Sequence, residues 1–154
     1  MQSCYGKFEA DRLRVYIILQ EGKTLETSNN PSNVSKTTMA FTEEEKAAHL
    51  KTIEDLFWSK RRPPTHLRDK VREGQRIEGQ SVELFLHRPA FRSPGEWIEE
   101  PIAKITYVRK SNRWRVFWQR ADLKWHRYPP KPEAKTLSEC LRIIDEDANA
   151  CFFG

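Results

Sequence analysis

Two periodicities divide the chain. Between Met39 and Phe57, Ala47, Leu50, Ile53, Leu56 and Phe57 recur at spacings of three and four, which is one apolar stripe on a helix. Thr42 and Glu45 stand ahead of it at capping-box spacing, and Glu43, Glu44 and Glu45 suit the positive end of a helix dipole. The helix is predicted to end near Lys60, because Pro63 and Pro64 cannot continue it. His66 to Glu73 reads as one or two further helical turns stopped by Gly74. From Gln75 the period changes to two. Val82, Leu84 and Leu86 alternate with Glu83, Phe85 and His87 until Pro89, a half-buried strand. Phe91 to Glu96 is a loop, and Pro101–Arg109, Arg113–Arg120 and Leu123–Tyr128 are three more strands. Their short connections favour an antiparallel meander. Pro129, Pro130 and Pro132 make an extended spacer. Thr136 and Glu139 form a second capping box, with Leu137, Cys140, Leu141 and Ile144 on one helix face. Asp145, Glu146 and Asp147 mark the helix exit, and the terminal CFFG is expected to fold back into the core. The predicted class is α+β: an N-terminal helix, an antiparallel meander of about four strands and a C-terminal helix in a two-layer sandwich.

Residues 1–38 have a different texture. Val15 to Leu19 is a short apolar run without a partner, and TLETSNNPSNVSKTT, Thr24 to Thr38, is too rich in Ser, Thr and Asn to offset its ordering cost. The expected organisation is a disordered or upstream extension over 1–38 and a single α+β domain over 39–154.

Alternation assigns the faces of the third strand. Trp114, Val116 and Trp118 point one way, and Arg113, Arg115, Phe117 and Gln119 the other. One buried Trp removes roughly 150–250 Å² from water, on the order of 4–6 kcal/mol as an upper bound. Trp114 and Trp118 are therefore expected in the core. The other face reads either as a platform that stacks bases and neutralises phosphates, or as a face covered by a helix over Phe117, with its arginines reaching out at the edge. The covered reading is preferred on the sequence alone.

Charge adds a second cue. The net charge is +5, and Phe57 to Tyr128 holds 17 Lys or Arg against 8 Asp or Glu, while both flanking segments are acidic. Such a middle can steer an anionic partner, or can meet the acidic ends within the fold. The apolar runs are far shorter than a membrane span. Val15–Leu19 is also too short for a signal-peptide core and follows Glu9 and Asp11. With Cys4, Cys140 and Cys151 showing no paired spacing, a reduced cytoplasmic location is expected.

Signals for catalysis are sparse. The chain has no zinc-ligand pair, phosphate-cradling glycine loop, nucleophile elbow or HExxH, so neither a metal site nor a cofactor is expected. Asp122 and His126, joined by His87 or Glu100, are the candidates for an acid–base site; His66 is a further titratable group. Cys140 reads as a small buried side chain.

From Met39 onward the chain resembles a family of small bacterial proteins, domain-of-unknown-function family 3024. The matching stretches are MAFTEEEK, KRRPPTHLRDKV, GQSVELF, EEPIAKITYV, RWRVFWQRADLKWHRYPP and DEDANACFFG. The resemblance supports a domain starting at Met39 and implies no activity and no catalytic residues. The functional expectation is a small cytoplasmic binding module, non-enzymatic, whose basic, aromatic-rich sheet contacts nucleic acid or another anion through Arg113, Arg115, Phe117, Arg120 and Lys124. Its alternatives are a small enzyme at His126 and a homodimeric protein-interaction subunit.

Overall fold

The computed structural model describes residues 40–154; the expectations for residues 1–38 lie outside them. The first helix, α1 (Glu43–Ile53), opens with the reciprocal cap that its sequence dictates. The Glu45 N–H donates to Thr42 Oγ1 at 3.2 Å, and the Thr42 N–H donates to the Glu45 carboxylate at 2.8 Å. The chain before it is held by the Phe41 N–H on the Gly79 carbonyl, 2.9 Å, and by Arg109, which bonds both the Ala40 carbonyl and Glu45.

α1 runs into a π-helical turn, Glu54–Trp58, and a last short turn, α2 (Ser59–Arg61), before Pro63. A π turn inserts one residue into the helical repeat and rotates the next turn about the helix axis. Adjacent Phe57 and Trp58 are thereby both buried, while Leu56 faces out at 43% exposure and Leu50 at 39%. The stripe read from the sequence is corrected accordingly: Ile53 and Phe57 are core, whereas Ala47, Leu50 and Leu56 are exposed. His49 takes an inner position instead, between the rings of Phe41 (4.6 Å) and Trp114 (5.2 Å).

Beyond the prolines, the one or two helical turns expected over His66–Glu73 reduce to a single 3₁₀ turn, Thr65–Leu67, and strand β1 (Arg72–Glu78) begins two residues before Gly74, the expected stop. β1 exists because its backbone pairs along its full length with β2 (Ser81–Pro89). Gly74 in β1 leaves room for the Phe85 ring; a Cβ there would lie 2.2 Å from it. β3 (Trp97–Val108), β4 (Arg113–Gln119) and β5 (Trp125–Arg127) continue the antiparallel meander in the order β1-β2-β3-β4-β5. A sixth strand, β6 (Glu133–Ala134), lies just past the segment expected to be a spacer and pairs with β4.

The last helix, α3 (Leu137–Glu146), is capped by Thr136 Oγ1, which accepts from the Glu139 N–H at 3.1 Å. The Glu139 carboxylate accepts from the Lys135 N–H, one residue earlier than a reciprocal box requires. Asp147 leaves the helix in the left-handed region at φ 38°, and its carboxylate then gathers the backbone N–H groups of Cys151 (2.7 Å), Phe152 (3.1 Å) and Phe153 (2.9 Å). That brace folds the tail back. Phe152 is buried against Tyr128, ring centroids 4.7 Å apart, whereas Phe153 is only a half-open lid between Phe57 and the Arg61 guanidinium.

The core is one cluster. Ile53, Phe57, Trp58, Leu141, Ile143 and Ile144 from the helices meet Val82, Leu84, Ile105, Trp114 and Val116 from the sheet. All of these strand residues share one face, so both helices cover that face. Trp114 is in the core as expected; Trp118 is half-buried at its margin, with the Arg120 guanidinium 5.6 Å from its ring.

Candidate binding face of the sheet

Register fixes the opposite face. Arg76, Glu83, Lys104, Phe117 and Arg127 form one row across all five strands of the meander, and Ser81, Thr106, Arg115 and Glu133 form the next. No described element covers these rows. The covering helix over Phe117 is therefore a correction: α1 and α3 are both drawn to the Val82–Ile105–Val116 face, which carries the apolar surface. Phe117 is half-buried by its neighbours on an otherwise open face.

Of the expected binding residues, Arg113, Arg115 and Phe117 share this face. Arg120 and Lys124 belong to the β4–β5 hairpin beyond its end, where Arg120 leans on Trp118 of the helix-covered side. The face also holds aromatic and charged groups that single-strand alternation did not reveal. Trp125 pairs with Gln119 and has Lys104 Nζ 6.0 Å from its ring; Trp97, 40% exposed, carries the Arg72 guanidinium at 4.5 Å. Lys104 was legible as a polar position in PIAKITYV, but only the register of β3 against β4 puts it beside Phe117.

These cations are partly matched. Arg76 reaches Glu83 (2.8 Å) and Glu99 (3.3 Å), and Lys104 reaches Glu83 (3.0 Å). Burial pushes the Glu83 carboxyl up, but the hydrogen bonds from Arg76 and Lys104 outweigh it and hold it below the usual range, so it stays ionised. Arg115 and Arg127 both reach Glu133, at 3.3 and 3.4 Å. Arg113 has no charge partner among the described residues. The basic excess of the sequence is thus answered in part by carboxylates on the same face.

The candidate acid–base residues are only partly brought together. His126 Nε2 lies 2.8 Å from Asp122 Oδ2. Asp122 also accepts the Lys124 N–H, and that bond, then His126, holds its carboxyl below the usual range. The pair braces the turn of the β4–β5 hairpin, on the helix side of the sheet. His87 lies on the opposite face against Phe85, three strands away, which is about 14 Å at ordinary strand spacing. Glu100 is engaged with Arg88 at 3.0 Å, and His66 is exposed in the 3₁₀ turn. The groove between α2 and α3, about 490 Å³, is lined by Leu56, Lys60, Glu139, Leu141, Arg142 and Asp145 among others and by none of these histidines. Cys140 is fully buried, and burial pushes its thiol up to about 12, far from thiolate chemistry. Among the described residues no three His, Cys, Asp or Glu are grouped to hold a metal ion, and no helix is long and apolar enough to cross a membrane.

The model of the family described as "Domain of unknown function (DUF3024)" matches residues 41–154. The chain belongs to this family. The match covers α1 through the CFFG tail, so the helix-covered sheet and its open face both lie within the family's span. No curated protein and no solved structure matches the chain.

Proposed function

We propose that this DUF3024 protein is a non-enzymatic binding module whose open sheet face takes single-stranded nucleic acid. One observation carries the reading: both helices lie on the other face, leaving half-buried Phe117 and Trp125 without a helix over them, among Lys104, Arg113, Arg115 and Arg127. Flat rings supply sequence-tolerant stacking surfaces, and the guanidinium groups between them suit phosphates. Pairing this face with a second copy would desolvate several ion pairs at once, which disfavours a sheet-to-sheet homodimer. The buried thiol of Cys140 suits a reducing cytoplasm.

The test is binding to mixed single-stranded DNA and RNA at two salt concentrations, on variants whose folding has been checked. Affinity should fall with salt as phosphate contacts release counterions. Phe117→Ala should cost about 1–3 kcal/mol through lost stacking, with little change of salt slope. Arg115→Ala should lower the slope by roughly 0.7. Absence of wild-type binding at low salt would reject the nucleic-acid reading.

A further inference from the structure

β5 and β6 lie end to end along one edge of β4, both antiparallel to it. They are two pieces of one interrupted edge strand. Val116 is the joint: its carbonyl accepts the Tyr128 N–H at 2.9 Å, and its N–H donates to the Pro132 carbonyl at 3.0 Å. The residues between bulge away from the sheet. Pro129 and Pro130 have no N–H to leave unpaired there, which is why YPPKP can make the excursion. Its consequence is to place Glu133 beside Arg127, although the proline bulge separates them in the chain.

Arg115 stands directly opposite Glu133 in β6, and Arg127 directly opposite Phe117 in β4. Arg115 Nε and an Arg127 terminal nitrogen converge on the same Glu133 oxygen, Oε1, at 3.3 and 3.4 Å. Two guanidinium groups aimed at one oxygen from adjacent strands, beside a half-open ring, form an anion position. The three side chains are 36–47% exposed, so the carboxylate can swing into water without unfolding anything.

We propose that Arg115 and Arg127 form a phosphate subsite of the sheet face, and that Glu133 fills it in the free protein as a built-in competitor. The proposal rests on the nucleic-acid reading for its ligand, but not for its geometry. A backbone phosphodiester carries the same single charge as Glu133 and offers two acceptor oxygens to the two guanidinium groups. Exchange is then nearly charge-neutral on the protein, with the adjoining base placed towards Phe117. The displaced Glu133 lowers affinity for every strand, which restricts binding to ligands that also stack.

The experiment compares wild type, Glu133→Gln and Glu146→Gln. Glu146 sits at the end of α3 against Arg142, so its variant removes the same charge remote from the site. The probes are an oligothymidylate of about 12 nucleotides, and inorganic pyrophosphate followed through the arginine Nε–Hε NMR signals of Arg115 and Arg127. Glu133→Gln should tighten oligothymidylate binding roughly fivefold, the release of two exposed ion pairs of ordinary strength, and pyrophosphate should shift both arginine signals more than in wild type. Glu146→Gln should do neither. Equal tightening by both variants would reduce the effect to net charge and overturn the subsite. Oligothymidylate bound equally by wild type and Glu133→Gln would overturn the subsite while leaving the sheet-face reading intact. Arginine shifts with pyrophosphate in Glu133→Gln, but no oligothymidylate binding by any variant, would uphold the subsite and remove the nucleic-acid reading. Neither response in any variant would remove both.

Discussion

Truncating the two tail phenylalanines one at a time should give unequal losses of stability. Phe152 is 3% exposed and lies 4.7 Å from Tyr128, which is itself 1% exposed; both belong to the main core cluster. Phe152→Ala removes a ring from a site that the rest of the core cannot refill. Its cost should be about 3–5 kcal/mol, from lost burial plus the cavity left behind. Phe153 is 38% exposed, touching Phe57 at a 6.4 Å ring separation and receiving the Arg61 guanidinium at 4.1 Å. Phe153→Ala loses partial burial and one exposed cation–π contact, about 1 kcal/mol. Against a total stability of roughly 5–15 kcal/mol for a domain of this size, the first loss is large and the second modest. Urea denaturation of each variant measures both, provided the slope with denaturant stays constant so that the midpoint reports stability. Equal losses, or a Phe152→Ala loss under about 1 kcal/mol, would refute the reasoning and leave Tyr128 packed by something other than the tail.

Two further outcomes are expected. Burial between Phe41 and Trp114 holds the His49 imidazole below its ordinary value of 6.5, with Glu45 opposing in part. The unfolded chain therefore takes up the proton first: stability should be full above pH 6.5, fall as pH drops through that value, and level off once the folded state also protonates. His49→Gln should flatten this slope in urea titrations from about pH 7.5 to about pH 5; an unchanged slope would assign it to another group. Deleting residues 1–38 should leave the thermal midpoint nearly unchanged, because Phe41 and Arg109 already anchor the start of the described fold. A drop of many degrees would place part of that segment in the core.

The sequence by itself determined what depends on near neighbours. Thr42 and Glu45 start a helix wherever they stand three apart before an apolar run, and Pro63 and Pro64 end it. The alternation of Val82–Glu83–Leu84 and of Trp114–Arg115–Val116 set strand type and separated two faces, because side-chain direction in a strand follows from backbone geometry alone. Tertiary structure decided the rest. Arg72–Glu78, REGQRIE, has no apolar alternation and is a strand only because β2 supplies its hydrogen bonds. Leu56 and Trp58 exchanged places with respect to the simple 3.6-residue stripe because a π turn lets two adjacent rings enter one core. Alternation in β4 marked the Trp114 face as core, but whether a helix also covered Phe117 could not be read from that strand. It depends on the summed apolar surface of β2, β3 and β4, which draws both helices to one side. His126 and Asp122, four residues apart, met as local spacing allows; His87 was carried to the other face by the register of three intervening pairings. Arg115, Arg127 and Glu133 meet through the two hydrogen bonds of Val116 on either side of the proline bulge, a contact set by strand pairing and by no pattern within any one segment.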